Sequence, residues 1–242
     1  MKMKTILFII NSYAYFESHK KEFILNLSKK YKVYVAIPSN SNNIVIYKNI
    51  YYLKYNFNRR INIFTDLISI YNLYKIIRSC NPDIVHAFTI KPIIYTNILS
   101  KFLKIKVISN FSGLGTIISN KNIKYKVLKK LFFIIIKIFS QKGNIVITQT
   151  EYDKNTLIKS KVFNNNNIHI VPGSGIKINE NKYVSKPSKN FIVLMSSRLI
   201  KQKGLEIFCK LSNLNKNKII EFQLIGDIDN NNPDSYKPDE VK

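Results

Sequence analysis

The sequence predicts an α/β fold: one complete parallel-sheet domain followed by the first βαβ unit of a second. Three observations lead there. Short apolar runs rich in Ile and Val alternate with longer stretches of helical spacing, the pattern of strands joined by crossover helices. The alternation halts near Pro172 and restarts at Phe191, after a segment rich in Ser, Asn, Lys and Pro. The chain of 242 residues, 45% hydrophobic and 22% charged, holds enough apolar material for a full core, which excludes a disordered or fibrous protein.

In chain order, Thr5 to Ile10 is a first buried strand. Asn11 ends this apolar run after about six residues, below the roughly 7–15 of a secretory signal core. Glu17 to Lys30 has helical length, Val33 to Ile37 is strand-like, and Asn62 to Ser79 is a second helix. Ile84 to Ala87 is a strand, followed by a helix over Pro92 to Phe102 whose proline suits a first turn. Val107 to Ser109, Ile145 to Thr148 and Ile168 to Val171 are further strands. Between them lie helices over Asn122 to Phe139 and Glu151 to Lys159, the latter capped by Thr150.

Residues 1–172 are therefore assigned to the first domain, 173–190 to a linker and 191–242 to the second unit. In that unit Phe191 to Ser196 is strand-like, Lys203 to Leu211 helical and Ile219 to Ile225 strand-like, with a polar, turn-rich remainder. One βαβ unit of about 50 residues is too small to be stable alone, so the second domain reads as one that stops early.

Basic side chains number 39 against 14 acidic ones, a formal charge of +25, which directs attention to phosphate-bearing partners or an anionic membrane surface. Only Arg59, Arg60, Arg78 and Arg198 are arginine, and Asn, Ile, Tyr and Phe abound. AT-rich coding writes such compositions, so part of the charge carries no functional information. Scarce arginine and the lack of a recognition module argue against nucleic acid as a partner.

Segregation of charge is more telling. The 67 residues from Ile84 to Thr150 contain no Asp or Glu but eleven lysines. Within them, Lys121 to Lys142 mixes lysine with Tyr125, Leu128, Leu131, Phe132, Phe133 and Phe139. That composition suits a helix lying on anionic lipid, or a core helix with a basic outer face. The longest apolar run, Leu131 to Phe139, is broken by Lys137 and falls short of the ~20 residues of a membrane span. Cys80 and Cys209 cannot build a disulfide framework and read as reduced thiols in a cytoplasmic protein.

Ligand chemistry in a parallel sheet belongs at the carboxyl ends of its strands. Ser197 to Gly204 leaves a strand and enters a helix, so Arg198 and Lys203 can converge on a diphosphate beside the helix amides, or simply form a solvated helix start. In Val171-Pro172-Gly173-Ser174-Gly175 two glycines either let backbone approach a ligand or turn the chain at a hinge. Gly113-Leu114-Gly115 lacks the third glycine and the downstream acid of a dinucleotide fingerprint, which excludes an NAD site. His86 closes the Asp83-Ile84-Val85-His86 strand and is either catalytic or packed core. It forms no metal-ligand spacing with His19, His169 or the cysteines. With no nucleophile elbow, Walker loop or zinc signature, hydrolase and NTPase chemistry is excluded.

Five segments taken in order resemble family 4 glycosyltransferases: Thr89-Ile90-Lys91-Pro92, Ile108 to Thr116, Val171 to Gly175, Arg198 through Lys203-Gly204, and Leu224-Ile225-Gly226-Asp227 ahead of Asn232-Pro233. The most similar branch is the bacterial enzymes that build capsule, O-antigen or glycoprotein oligosaccharides on undecaprenyl diphosphate. The resemblance implies a GT-B fold, two Rossmann-like domains facing a cleft, with the acceptor on the first and the nucleotide sugar on the second. It implies that Arg198 and Lys203 bind the donor diphosphate and stabilise the leaving nucleotide. Transfer would retain anomeric configuration and use no metal and no cofactor. The loops holding Asn11, Lys91, Gly113 and Gly115 would line the acceptor side, with Gly173, Ser174 and Gly175 as a donor or hinge loop.

The basic surface would face a lipid-linked saccharide on the inner face of the cell membrane, making the protein cytoplasmic and peripheral. Where the family usually has arginine in the early loop, this chain has Lys20. The family's paired glutamates and nucleotide-base pocket fall beyond Lys242, so the catalytic residues are unassigned and the chain reads as truncated and inactive alone. A non-enzymatic acceptor- or membrane-binding accessory protein is the alternative expectation.

Overall fold

Seven parallel strands carry the first of two units, Met1–Ile178, in the computed structural model. The residues described are 3–114, 123–141, 143–175, 191–216, 219–228 and 234–240. The strands are β1 (Thr5–Ile9), β2 (Lys32–Pro38), β3 (Ile50–Tyr55), β4 (Ile84–Phe88), β5 (Lys106–Asn110), β6 (Ile145–Thr148) and β7 (Ile168–Ile170). They lie in the order β3-β2-β1-β4-β5-β6-β7. Their side chains are buried alternately on the two faces: Phe8 and Ile10 pack on one, Leu7 and Ile9 on the other. Apolar residues at consecutive positions are what a sheet covered on both sides requires.

Each face has its own helices. After β1 the chain makes a turn at Tyr13–Tyr15, a π-helical segment at Phe16–Lys20 and helix α1 (Lys21–Ser28). Phe16 and Ile24 pack there against Phe8, Val33, Val35 and Ile37. Helices α2 (Ile63–Cys80) and α3 (Ile90–Leu103) cover the opposite face, with Leu73, Ile77, Tyr95 and Leu99 on Leu7, Ile9, Val85 and Val107. Helices α4 (Ile123–Phe139) and α5 (Glu151–Lys159) contribute Phe132, Ile136 and Leu157 to a third cluster with Ala87 and Val146.

Local chemistry sets the helix ends. Asn62 caps α2 by accepting from the Thr65 amide at 3.2 Å, and Asn81 ends it in the left-handed conformation. Thr150 caps α5 by accepting from the Asp153 amide at 3.1 Å, as expected from the sequence. The connection after β1 leaves on one face and that after β4 on the other, although β1 and β4 are neighbours. The crevice of this unit therefore opens between those two strands.

Two elements depart from the sequence reading. Strand β3 is absent from the sequence reading: it is an edge strand whose Tyr51 and Lys54 are exposed and whose Tyr52 and Leu53 lie between surface and core, so it shows no clean alternation. Its buried Tyr55 donates its hydroxyl to the Ile10 carbonyl at 3.0 Å. The helix expected over Glu17 to Lys30 begins earlier, at Tyr13, and ends at Ser28. Its π-helical stretch buries both Phe16 and Lys20, four residues apart.

The second unit, Asn179–Lys242, contains β8 (Phe191–Ser196), α6 (Leu205–Leu214) and β9 (Ile220–Ile225), with the two strands parallel. Leu199, Leu205 and Tyr236 form its small core, flanked by Met195 and Ile228. The helix expected from Lys203 starts two residues later. Lys201–Lys203 forms a separate 3-10 turn, because Gly204 at φ +77° reverses the backbone between them.

A buried polar chain ties the middle of the first unit together. Asn97 of α3 donates to the Ile93 carbonyl at 2.8 Å and to Ser109 Oγ at 3.0 Å, and accepts from Asn144 Nδ2 at 3.2 Å. Asn144 Oδ1 in turn accepts from the Val107 amide at 3.3 Å. Removing one member leaves buried partners unsatisfied, at a cost of about 1–3 kcal/mol. Asn97→Ala is expected to lower unfolding stability by about that amount, read as a fall in the urea midpoint with the slope unchanged.

Candidate functional site

The β1/β4 crevice is where polar atoms collect. Asn11 leaves β1 and Thr89 leaves β4, and the Oδ1 of the first and Oγ1 of the second are buried without a hydrogen-bond partner among the described residues. Thr148 Oγ1, at the end of β6, is in the same state. Thr89 also has φ +69°, a left-handed conformation that a β-branched residue adopts only under strain. Its amide donates to the Asn110 carbonyl at 3.2 Å and its carbonyl accepts from the Ile93 amide at 3.1 Å, which holds the strained backbone in place. Buried polar atoms left unmatched along a ligand-bearing edge are groups that a hydroxyl-rich ligand can satisfy.

A cation stands at the same edge. Lys20, only 5% exposed, donates to Ser174 Oγ at 2.6 Å, and its ammonium lies 4.8 Å from the Phe88 ring centroid and 5.5 Å from that of Tyr15. Burial lowers its pKa from the ordinary lysine value. Among the described residues no carboxylate makes an ion pair with it. The Tyr15 hydroxyl shares a hydrogen bond with Ser112 Oγ at 2.5 Å. Loops after β1, β4, β5 and β7 thus meet around Phe88, presenting one buried positive charge and several hydroxyls. Gly173 at φ +81° and Gly175 at φ +69° let the chain bend on either side of Ser174, which brings its hydroxyl onto Lys20.

Other sequence candidates resolve differently. His86 is packed core: it stacks on Phe88 at 4.4 Å, sits 5.4 Å from Phe8 and meets Asn110 Nδ2 through Nε2 at 3.3 Å. Lys91 is committed within the chain. Its ammonium donates to Asp66 Oδ1 at 2.6 Å and to the Asn58 and Arg60 carbonyls at 2.8 and 2.9 Å, pinning the loop before α2 to α3. Gly113 follows Ser112 in the loop after β5, while Gly115 lies outside the described residues. Glu17 is engaged by Lys21, Tyr47 and Tyr13 at 2.7, 2.6 and 3.0 Å.

The sequence reading passed over Thr89, Lys20 and Thr148 as site residues. Thr89 lies in Thr89-Ile90-Lys91-Pro92, where Lys91 is the charged residue. In sequence Lys20 stands out only as a departure from arginine, since its contact with Ser174 spans 154 positions.

In the second unit, Arg198 and Lys203 are both exposed, on the segment between β8 and α6. The Ser197 amide donates to the Ile225 carbonyl at 3.0 Å and the Leu199 amide to the Asp227 carbonyl at 3.0 Å, so Arg198 is held between paired loops. Gly226 makes that pairing possible: a Cβ there would fall 1.7 Å from the Ser197 carbonyl oxygen.

His86 also sets a pH dependence. Its pKa is pushed down to about 3, first by burial and then by the Lys20 charge. Below the ordinary value of 6.5 the unfolded chain takes up a proton that the folded chain refuses until about pH 3. Stability is therefore full above pH 6.5 and falls with pH in that window, by about 1.4 kcal/mol per unit from this group. Urea unfolding of wild type against His86→Phe between pH 7 and 4 is expected to show the steeper acid loss in wild type alone.

The Glycosyl transferase 4-like family profile matches residues 5–150, more than half of the chain. No curated protein matches. Among solved structures, Anabaena HepE in complex with UDP and glucose superposes with a TM-score of 0.64 at 16% identity, covering 93% of this chain and 61% of its own. Sucrose-phosphate synthase from Thermosynechococcus elongatus gives a TM-score of 0.69 at 12% identity, covering 96% and 64%. UDP-GlcNAc 2-epimerase from Neisseria meningitidis bound to UDP-GlcNAc gives 0.59 at 17%, covering 91% and 64%. The chain thus spans less than two thirds of the length of these structures. They share its fold, a Rossmann-like parallel α/β sheet of the GT-B kind. With strands β1 to β6 and the loops that leave them inside the matched span, the chain belongs to the glycosyl transferase 4-like family.

Proposed function

We propose that this chain takes part in transferring a sugar from a nucleotide sugar to a lipid-linked saccharide, as a peripheral protein on the inner face of the cell membrane. The observation that carries the reading is the group of unmatched buried atoms at the β1/β4 crevice, Asn11 Oδ1 and Thr89 Oγ1, beside the buried Lys20 ammonium. Sugar hydroxyls satisfy the first two, and an anionic oxygen of the acceptor compensates the third. Glu17, Asp66 and Asp153 are not available there, since each is held by other side chains.

The donor side of the proposal rests on Arg198 and Lys203. Two cations on one short segment suit the diphosphate of a nucleotide sugar, and they stabilise the negative charge that grows on it as the sugar departs. Supporting this, HepE is a fold neighbour seen with UDP and glucose. In this reading the donor is a substrate and no resident cofactor or metal is needed, and transfer retains the anomeric configuration, as in the family the sequence resembles. The acid-free, lysine-rich stretch from Ile84 to Thr150 supports a membrane-bound acceptor.

Calorimetric titration with UDP tests the donor side. Arg198→Ala and Lys203→Ala are each expected to weaken binding about tenfold or more. Gly226→Ala, which forces the Ser197 carbonyl away, is expected to match them. Lys20→Met is expected to leave UDP affinity within about twofold and to weaken binding of a polyprenyl-diphosphate-linked saccharide. If wild type binds UDP and the Arg198 and Lys203 variants bind it equally well, the diphosphate assignment is wrong.

A further inference from the structure

Helices α4 and α5 bound a groove of about 580 Å³ on the helical layer, away from the β1/β4 crevice. Lys129, Lys130 and Lys137 line it from α4 and Lys159 from α5, and no carboxylate is among its lining residues. Phe133, Ile134 and Val162 give it apolar walls. Four ammonium groups around one concavity repel one another, so an anion that enters relieves that repulsion as well as gaining its own contacts.

The surroundings say what kind of anion. On the outer side of α4, Val127, Leu131, Ile134 and Ile138 are all exposed, at spacings of four, three and four residues. They form an apolar stripe along one helix face, with Lys126, Lys130 and Lys137 exposed beside it. Tyr152, 70% exposed, stands at the rim of the groove on α5. An apolar stripe flanked by lysines and an amphipathic ring is the pattern of a helix seated at a bilayer interface. A soluble anion would leave that stripe in water.

We propose that the α4–α5 groove seats the phosphate head group of an anionic phospholipid, while the α4 stripe enters the acyl boundary next to it. The proposal rests on the membrane reading above and adds a defined seat that includes residues of α5, outside the lysine-rich helix itself. Electrostatic attraction to an anionic surface is diffuse and counts lysines alike. A seat does not: it weights Lys137 and Lys159 above neighbours on the same two helices.

Sedimentation with phosphatidylcholine vesicles containing phosphatidylglycerol, at low salt, tests it. The double variant Lys137→Gln/Lys159→Gln is expected to lose about tenfold or more in vesicle affinity. Lys126→Gln/Lys154→Gln, with the same change in net charge on the same helices but outside the groove, is expected to lose about threefold or less. Matching thermal melts for both variants keep the comparison one of binding. Equal losses in the two variants would overturn the groove while leaving membrane association in place. Wild type that fails to sediment with the anionic vesicles would overturn both. Glycerol 3-phosphate at millimolar concentration is expected to leave the protein on the vesicles. If instead it releases the protein and binds it in free solution through Lys137 and Lys159, the groove serves a soluble phosphate and the phospholipid assignment fails.

Discussion

All seven strands of the first sheet run in one direction, and that single constraint organises the rest of the unit. A parallel pair cannot be closed by a tight turn, so each strand must be followed by a crossover that returns the chain to the end where that strand began. The strand exits then gather along one border of the sheet. Because the chain passes from β1 outward to β2 and β3 before coming back to β4, the exits of those neighbours diverge to opposite faces. The opening left between them receives Asn11 and Thr89 from the backbone alone, before any side chain is considered.

Charge is distributed with the same economy. Three carboxylates of the first unit are engaged in local structure: Glu17 gathers two tyrosines and a lysine, Asp66 holds Lys91 and Tyr95, and Asp153 completes a helix cap. Lysines are thereby left in excess in two places of different character. At the crevice one ammonium is buried against aromatic rings, where desolvation favours losing its proton and a visiting anion restores it. On the α4–α5 face several are solvated around an apolar floor, a setting that attracts anions by concentration of field. Lys91, which the sequence placed among acceptor-side residues, belongs to neither, because three acceptors in its own unit already occupy it.

Much of the architecture is readable from the order of residues, since buried parallel strands announce themselves as mostly apolar runs such as Ile6 to Ile10 and Ile84 to Ala87. Strand β3 escaped because an edge position needs no such run: Tyr51 and Lys54 tolerate water on one side. The site was less legible than the fold. Glycines in the Val171 to Gly175 loop are visible in any sequence, but nothing local says that Ser174 lies against a lysine from the first helix. Thr89 advertises nothing either, since threonine is ordinary in strands and its strained backbone is imposed by bonds from Asn110 and Ile93. The groove depended on α5, whose Lys159 is one unremarkable charge among many until α4 is packed beside it.

The wide turn at Phe16–Lys20 carries an evolutionary corollary. A π segment is what remains when one codon is inserted into an established helix whose ends are already fixed by packing. Deleting a codon there would rewind the turn to α geometry while leaving the flanking turns in place. Phe16 and Lys20 would then stand three residues apart, still on one face but turned relative to each other. The wide turn thus sets how the Lys20 ammonium meets Ser174 and the Phe88 ring.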